Sequence, residues 1–320
     1  MNTLRIRRPR LHVLVPLIAV LAAAPAAAQG ELPLDLFAYD RAAPLDLQAS
    51  PIGSEDGVAI HQISYASPRG GRVTGRLFVP RGGGPFAGVV LAHGMPGNAE
   101  AFTGRGVFIA RHGAVVIAID APFNRRPGGP MTLTPQDSVE QVQLIVDLQR
   151  AVDVLLARPD VDSARLAYVG RSYGGATGAL FAGVERRLRT YILASADGGV
   201  TTRWRGAGAQ QGRIPQEQLN AWLAAMDPIE GYRFVGRANA PIFFQNGRRD
   251  QAVSVERAEA LHAAATGQKE VRWYDAEHAL NPAAYVDQLR WLSQTVGTTA
   301  PGPEDEAGPQ IPPPPAPRPQ

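Results

Sequence analysis

The sequence predicts an α/β fold with a mostly parallel sheet and helices on both of its faces. Short apolar runs rich in β-branched and aromatic residues alternate with longer stretches whose apolar residues repeat every three or four positions. The run "FAGVVLAHG" (86–94) is apolar almost without interruption, which is typical of a strand buried on both faces. This alternation favours a parallel sheet that is covered by helices on either side.

Further strands and helices follow the same alternation. The predicted strands cover residues 71–80, 86–94, 113–120, 165–170, 191–195, 241–247 and 270–276. The clearest helix spans about 135–157, with Thr134 as its N-cap and Pro135 at its first position. A polar segment, 197–237, contains only one short helical pattern, at 216–226. Because this segment interrupts the alternation, we expect it to form an insertion or cap over the functional site.

The first 28 residues are predicted to be a secretory signal peptide. Four arginines precede an apolar run, 11–24, and the small-residue segment "APAAAQG" supplies a cleavage site after Ala28. A membrane anchor is the alternative, although the run is shorter than the ~20 residues that span a bilayer. The arginine pair at 7–8 is compatible with twin-arginine export, but the residues after it leave the export route open.

Composition restricts the partners and the domain organisation. The chain carries a net charge of +3, but the signal segment holds four arginines and no acidic residue, so the mature protein lies near −1. This balance gives no indication of a nucleic-acid or membrane partner.

The chain contains no cysteine, so its stability must come from a core instead of disulfides. We expect one domain over 29–297 and a disordered Pro-rich tail over 298–320.

The segment "GRSYG" (170–174) raises the question of a nucleophile. It follows a predicted strand and opens a predicted helix, and this placement favours a serine on a sharp strand-to-helix turn. Glycines would be needed there because a Cβ atom would collide with crossing segments. The alternatives are an ordinary tight turn and a dinucleotide-binding loop. The second requires a glycine where Ser172 stands.

A serine hydroxyl is a weak nucleophile without a base, so a histidine is required. The chain has six: His12, His61, His93, His112, His262 and His278. His12 leaves with the signal peptide. His61, His112 and His262 lie in predicted strands or helices, where a structural role is expected. His278 follows the last predicted strand in "YDAEHALNP". A loop at that end of a strand can carry a base to the nucleophile, so His278 is the candidate.

An acidic residue should orient that histidine and stabilise its protonated form. Asp250 follows a predicted strand in "PIFFQNGRRDQAV" and is the first choice, with Asp197 as the alternative. Two backbone amides should stabilise the oxyanion of acyl transfer. We predict that they belong to Tyr173, which follows the serine, and to Met95 in "LAHGMPGN" (91–98).

Four motifs in this order resemble the α/β-hydrolases, in particular the dienelactone hydrolase-like and acyl-peptidase-like serine esterases. They are "LAHGMPG", "YVGRSYGG", "FFQNGRRDQAV" and "DAEHAL", and the similarity covers roughly residues 55–296. The resemblance implies an eight-stranded, mostly parallel sheet, no cofactor and no metal, and a triad at Ser172, Asp250 and His278. It also suggests that Asp120 shapes a loop beside the site. Dienelactone hydrolases themselves use a cysteine nucleophile, which this chain lacks, so their substrate does not carry over.

The sequence therefore predicts an exported serine hydrolase that cleaves small-molecule carboxylic esters through an acyl-enzyme and loses activity in acid, where an imidazole base is protonated. A serine peptidase and a non-catalytic binding protein with the same fold remain alternatives. Three residues are candidates for substrate contacts: His93, Arg171 and Trp204.

Overall fold

The structure is a computed structural model that describes residues 31–202 and 214–309. Its strands are β1 (Gln48–Glu55), β2 (Val58–Ala66), β3 (Arg72–Pro80), β4 (Phe86–Ala92), β5 (Ala114–Ile119), β6 (Val161–Arg171), β7 (Thr190–Ala194), β8 (Ile242–Gly247) and β9 (Lys269–Tyr274). Its helices are α1 (Thr103–Ala110), α2 (Gln136–Leu156), α3 (Tyr173–Val184), α4 (Gln216–Met226), α5 (Gly231–Phe234), α6 (Val255–Ala264) and α7 (Pro282–Val296). The described residues from Leu32 onward belong to one compact unit.

The described strands form one sheet in the order β1-β2-β3-β5-β4-β6-β7-β8-β9. The pairs from β5 to β9 are parallel, whereas β1, β2 and β3 join by antiparallel pairing. The predicted α/β class and mostly parallel sheet are confirmed, with one strand more than the expected eight. The first strand, β1, is exposed along its whole length and shows no apolar alternation. Such an edge strand leaves no periodic signal in the sequence.

Two apolar layers cover the two faces of the sheet. Val89 and Leu91 of β4 belong to one layer, while Val90 and Ala92 belong to the other, because successive side chains of a strand point to opposite faces. One layer contains residues of α2 and α3, and the other contains residues of α1 and α7. This double coverage explains why the central strands are apolar without interruption.

The clearest predicted helix is confirmed to within a residue at each end. It begins at Gln136 and ends at Leu156, so Pro135 precedes its first residue. The hydroxyl of Thr134 accepts a hydrogen bond from the Gln136 amide at 3.3 Å, as a residue before a helix does. Helix ends commonly shift by a residue between sequence patterns and hydrogen-bond patterns.

The segment predicted as a cap is part of the connection between β7 and β8, which are parallel neighbours. Its helix α4 occupies the residues that the sequence pattern predicted. Trp222 of α4 is fully buried, and its indole donates to the carboxylate of Asp137 near the start of α2 at 2.9 Å. Residues 203–213, including Trp204, lie outside the described residues. That the segment forms a cap over the site stays a prediction.

The prediction of a disordered tail over 298–320 is partly wrong, because residues 298–309 pack against the domain. Thr298 is buried, and the Thr299 amide donates to the carbonyl of His112 at 2.8 Å. The carboxylate of Asp305 is fully buried and accepts from Arg111 and from the His112 ring. A buried ion pair, not apolar burial, anchors this Pro-rich segment, so a composition argument could not find it. Residues 310–320 lie outside the described residues.

The predicted signal peptide, residues 1–28, also lies outside the described residues, so export stays a prediction. Within residues 31–202 and 214–309, no helix is long and apolar enough to cross a membrane.

Candidate active site

Ser172 occupies a strained turn between β6 and α3. Its φ angle is +56°, in the left-handed region that non-glycine residues rarely adopt. A Cβ atom at Gly170 would lie 2.3 Å from the carbonyl oxygen of Gly174, and one at Gly174 would lie 2.4 Å from the carbonyl oxygen of Ala92. Both glycines are therefore required for the turn to form, as the sequence pattern predicted.

The turn places the serine hydroxyl against His278, which in turn contacts Asp250. The Nε2 atom of His278 lies 2.8 Å from Ser172 Oγ, and its Nδ1 atom lies 2.7 Å from Asp250 Oδ2. An ionised carboxylate only accepts hydrogen bonds, so we assign the ring proton to Nδ1. The lone pair of Nε2 then faces the serine hydroxyl, which is the arrangement that a general base requires. The structure thus brings together the three predicted side chains from loops that follow β6, β8 and β9.

Asp250 is held in its ionised form. Its side chain is fully buried, and Oδ1 accepts hydrogen bonds from the amides of Ala252 at 2.7 Å and Val253 at 2.9 Å. Burial by itself raises the pKa of Asp250. The hydrogen bonds from His278 and from these two amides lower the pKa, and together they outweigh burial. The net pKa lies below its ordinary value, so the carboxylate is charged and fixed in position at neutral pH.

A cavity of about 530 Å³ opens beside Ser172. It is lined by Met95, Pro96, Pro130, Met131, Ser172, Tyr173, Ala176, Ser195, Asp197, Gly199, Val200, Thr202, Ala252, Val253, Arg257 and His278. A cavity of this size is typical of sites for small molecules. Both residues predicted to supply the oxyanion amides, Met95 and Tyr173, lie on its wall. Within the described part of the chain neither amide donates a hydrogen bond, so both are available to a ligand.

The loop that carries Met95 is held by Asp120, which directly follows β5. The Oδ1 atom of Asp120 accepts from the Ala99 amide at 2.8 Å, and Oδ2 accepts from the Thr74 hydroxyl at 2.6 Å. Both carboxylate oxygens are therefore used to fix backbone and strand positions beside the site. This is the loop-shaping position that the resemblance suggested for Asp120.

His93, a predicted substrate contact, does not line the cavity. Its ring is buried; Nδ1 lies 2.9 Å from the carbonyl oxygen of Gly94, and Nε2 accepts from the Ala121 amide at 3.1 Å. Burial lowers its pKa, which favours the neutral ring that this pattern of one donor and one acceptor needs. The prediction of a substrate contact is corrected: both ring nitrogens are used by the backbone. His93 ties the loop of Met95 to the end of β5.

Arg171, a second predicted substrate contact, also lies off the cavity wall. Its Nη2 atom donates to the carbonyl oxygen of His278 at 2.9 Å. Adjacency to Ser172 in the sequence suggested a position beside the substrate, but the side chain of the last residue of β6 is directed to the loop of the histidine. The third predicted contact, Trp204, lies outside the described residues.

Four polar residues of the site were not predicted as contacts. Ser195, Asp197, Thr202 and Arg257 line the cavity. Asp197, the alternative acid, does not reach His278; it accepts from the Thr202 hydroxyl at 2.7 Å and lies 3.5 Å from Arg257 Nη1. Ser195 and Asp197 directly follow β7, and this position at the carboxyl edge of the sheet was a signal that could have identified them. Arg257 lies in α6, where no sequence pattern marks it.

The structural role expected for the remaining histidines agrees with their surroundings. His262 of α6 is buried against the ring of Phe244, and its Nε2 atom lies 3.0 Å from Asn246 Oδ1. Burial, with a smaller contribution from Lys269, lowers its pKa to about 4. His61 lies in β2, and the ring of His112 contacts the carboxylate of Asp305. In the two described ranges no group of three His, Asp or Glu side chains is placed to hold a metal ion.

Comparisons with known proteins agree with this architecture. The model of the prolyl oligopeptidase family matches residues 139–279, a region that contains Ser172, Asp250 and His278. The protein YfhR of Escherichia coli is 24% identical over 233 residues, which are 70% of this chain and 75% of the relative. The family match lies on the part of the chain that carries the site.

Solved structures extend the similarity to most of the domain. An acetyl xylan esterase from a Paenibacillus species is 22% identical and superimposes with a TM-score of 0.65, covering 79% of this chain and 89% of the esterase. Acetyl xylan esterase 1 from a Thermoanaerobacterium species is 15% identical with a TM-score of 0.67, covering 82% and 90%. The chain therefore has the α/β-hydrolase fold.

Proposed function

We propose that the chain is an exported serine hydrolase that cleaves carboxylic esters of small molecules through an acyl-enzyme. One observation carries the proposal: Ser172 Oγ, the His278 ring and the Asp250 carboxylate are joined by contacts of 2.8 and 2.7 Å at the wall of a cavity of about 530 Å³. A polar residue in an ordinary tight turn would need none of these partners.

In the proposed reaction Ser172 Oγ attacks the ester carbonyl carbon while its proton passes to His278 Nε2. Asp250 stabilises the imidazolium that forms and keeps Nδ1 as the proton-bearing atom. The amides of Met95 and Tyr173 donate to the oxyanion of the tetrahedral intermediate, and each such donor contributes ~10²–10³-fold to the rate. The start of α3 adds the partial positive charge of a helix N-terminus.

The intermediate then expels the alcohol, which takes the proton from His278 Nε2, and the acyl group remains bonded to Ser172 Oγ. In the second half of the reaction a water molecule gives a proton to His278 and attacks the acyl carbon. Collapse of this second intermediate releases the carboxylic acid and returns the proton to Ser172 Oγ. Every proton transfer uses the same nitrogen, which explains why the geometry of His278 matters throughout.

Two considerations favour esters over amides. The structurally similar proteins from Paenibacillus and Thermoanaerobacterium are acetyl xylan esterases by their descriptions, whereas the prolyl oligopeptidase family model supports a peptidase. An ester also needs less help at the leaving group, since an alcohol is expelled more easily than an amine. A peptidase is therefore the second candidate, and a binding protein that has lost catalysis is the third.

The proposed serine is tested by intact-protein mass after exposure to a fluorophosphonate, with Ser172→Ala as the comparison and Ser195→Ala to test the other serine on the same cavity wall. We expect one adduct on the wild type and on Ser195→Ala, and none on Ser172→Ala. An unreactive wild type would favour the binding protein, because a fluorophosphonate reports an activated serine whatever the substrate.

The ester proposal is tested with matched substrates that share one acyl group and differ only in an ester or an amide bond. We expect the ratio of kcat/KM values to favour the ester, and the activity of both to vanish in Ser172→Ala. A ratio in favour of the amide, or cleavage of peptides only, would identify a peptidase. A panel of esters graded by acyl length then defines the small-molecule substrate.

Export is a separate part of the proposal and rests on the sequence pattern of residues 1–28. We expect the protein recovered outside the cytoplasm of a bacterial host to begin at Gln29, as mass spectrometry of its N-terminal peptide would show. A full-length chain retained in the cytoplasmic fraction would contradict it. Replacing Arg7 and Arg8 by lysines would distinguish the twin-arginine route, which depends on the arginines themselves.

A further inference from the structure

Arg171 has a half-buried guanidinium that forms no salt bridge with a carboxylate of the described residues. Its Nε atom is buried and makes no hydrogen bond, and no carboxylate of the described residues lies within salt-bridge distance. Burial and the positive charge of Arg105 lower the pKa of Arg171, while Tyr285 and the carboxylate of Asp250 act in the opposite direction by a smaller amount. Arg105, which is more deeply buried, also forms no salt bridge among the described residues, so what distinguishes Arg171 is the acceptor that it contacts.

Two other arginines show the carboxylate contact that Arg171 lacks. Arg150, which is 1% exposed, lies 2.8 Å from the carboxylate of Asp153. Arg187 contacts the carboxylates of both Asp153 and Glu185. The only acceptor that Arg171 contacts in the described residues is the carbonyl oxygen of His278, at 2.9 Å. Its location directly before Ser172 makes this contact a link between the proposed nucleophile and the proposed base.

The loop of His278, residues 275–281 between β9 and α7, is held at two consecutive carbonyl groups. The oxygen of His278 accepts from Arg171 Nη2 and also from Ser195 Oγ, each at 2.9 Å. The oxygen of Ala279 accepts from the hydroxyl of Tyr285 at 2.7 Å. Tyr285 in turn accepts from Arg105 Nη2 at 2.8 Å.

We propose that Arg171, together with Ser195, is a positioning residue that clamps the carbonyl of His278 and thereby sets the distance between His278 Nε2 and Ser172 Oγ. The inference rests on the proposed hydrolase function. Because Arg171 and Ser172 are consecutive, the clamp ties the loop of the base to the backbone of the nucleophile itself. Small displacements of a base matter: a misplacement of about 1 Å can cost ~10²-fold in rate.

The test compares Arg171→Met with Arg165→Met as a matched control. Arg165 lies on the same strand, and its guanidinium also donates to backbone carbonyls, those of Val296, Pro85 and Gly297, away from the site. For a cleaved ester we expect Arg171→Met to lower kcat about 10–100-fold with KM within about twofold. Arg165→Met should keep kcat within about twofold even where it lowers Tm.

A conservative variant and a second clamp variant complete the set. Arg171→Lys keeps one donor and should recover part of the lost kcat, because one hydrogen bond to the carbonyl can form again. Ser195→Ala removes the other donor and should lower kcat about 3–10-fold. Unchanged kcat in Arg171→Met, or in Ser195→Ala if the first variant does not fold, would overturn the proposal. An equal loss in Arg165→Met would also overturn it, since a general loss of stability would then explain the effect.

A second readout separates this proposal from the proposed function. The proton on His278 Nδ1, in its 2.7 Å contact with Asp250, should give a low-field proton NMR signal that requires no substrate. We expect this signal in the wild type and in Arg165→Met, and its broadening or loss in Arg171→Met. A wild type that reacts with no ester or fluorophosphonate would contradict the function, while this signal would still decide the clamp. A signal unchanged in Arg171→Met would contradict the clamp alone.

Discussion

Two histidine–aspartate pairs in this protein have nearly the same geometry and different third partners. His278 Nδ1 lies 2.7 Å from Asp250, and His112 Nε2 lies 3.0 Å from Asp305. Both carboxylates are fully buried. The second nitrogen of His278 faces the hydroxyl of Ser172, whereas that of His112 lies 2.8 Å from the carbonyl oxygen of Phe108.

The third partner decides what each imidazole can do. A hydroxyl can donate a proton to a ring nitrogen, so His278 has a lone pair directed at a group that it can deprotonate. A carbonyl only accepts, so both nitrogens of His112 face acceptors and the ring has no proton to take up from a neighbour. Exposure differs in the same sense: the side chain of His278 is 28% exposed, that of His112 only 7%. A His–Asp contact is therefore no evidence of catalysis without the third group.

The largest expected effect comes from removing each histidine. His278→Gln should lower kcat for a cleaved ester by about 10⁴–10⁶-fold, because the base is lost. His112→Gln should leave kcat within about twofold and lower Tm, since a buried contact is lost. Steady-state kinetics and thermal unfolding of the two variants, side by side, check this. Comparable losses of kcat would mean that the two pairs do not differ in role.

Neutralising each carboxylate should separate the pairs again. Asp250→Asn should lower kcat by about 10³–10⁴-fold, because an amide cannot stabilise the imidazolium and favours the other ring tautomer. Asp305→Asn should change kcat little, as among the described residues its carboxylate contacts only Arg111, His112 and the Gly302 amide. The measurement is kcat at neutral pH for both variants. A large loss of kcat in Asp305→Asn would indicate that the C-terminal segment affects the geometry of the site.

A smaller effect, on stability, should follow from removing the C-terminal segment. Deletion of 298–320 takes away the buried Asp305 and its contacts with Arg111 and His112, so the free energy of unfolding should fall. For a domain of this size each kcal/mol corresponds to roughly 2–4 °C in Tm. We expect a decrease of several degrees by calorimetry with kcat retained. An unchanged Tm would restore the expectation that this tail is not part of the fold.

The smallest effect concerns acid stability. Burial raises the pKa of Asp305, but its contacts with the Gly302 amide, His112 and Arg111 outweigh this and lower the pKa. The net pKa of Asp305, like that of Asp250, therefore lies below its ordinary value. An unfolded chain then takes up the proton first, so this stabilisation is present above the ordinary Asp pKa and is lost as pH falls through the folded value. We expect Asp305→Asn to flatten the loss of stability below about pH 4. Parallel curves for variant and wild type in acid would contradict this.

The strands and the turn of Ser172 could be predicted because their signals are local. Continuous apolar runs report burial on both faces, and the glycines at 170 and 174 report a backbone that a Cβ atom would block. The choice among the histidines was also possible: His93 and His278 both follow strands at the edge where Ser172 lies, and assigning the loop of His93 to the oxyanion amides left His278 as the base. Its role as the base stays a prediction until the variants are measured.

Other features could not be predicted because they depend on residues far apart in the chain. The contact between Asp305 and His112 joins positions separated by 193 residues, and no composition rule reports it. The direction of the Arg171 side chain depends on where the loop of His278 lies. The position of Arg171 next to Ser172 in the sequence therefore wrongly suggested a contact with substrate. β1 escaped prediction because an exposed edge strand needs no apolar pattern.

Local patterns in the sequence were therefore enough to predict the α/β class, the strained turn of the serine and the three side chains that meet there. These follow from backbone sterics and from apolar periodicity, which act over a few residues. Three features depend on the folded chain: which His–Asp pair faces a hydroxyl, where the side chain of Arg171 points, and the packing of residues 298–309 on the domain. Those outcomes depend on hydrogen bonds and charges brought together across the fold, whose energies depend on burial and on partners that no local pattern encodes.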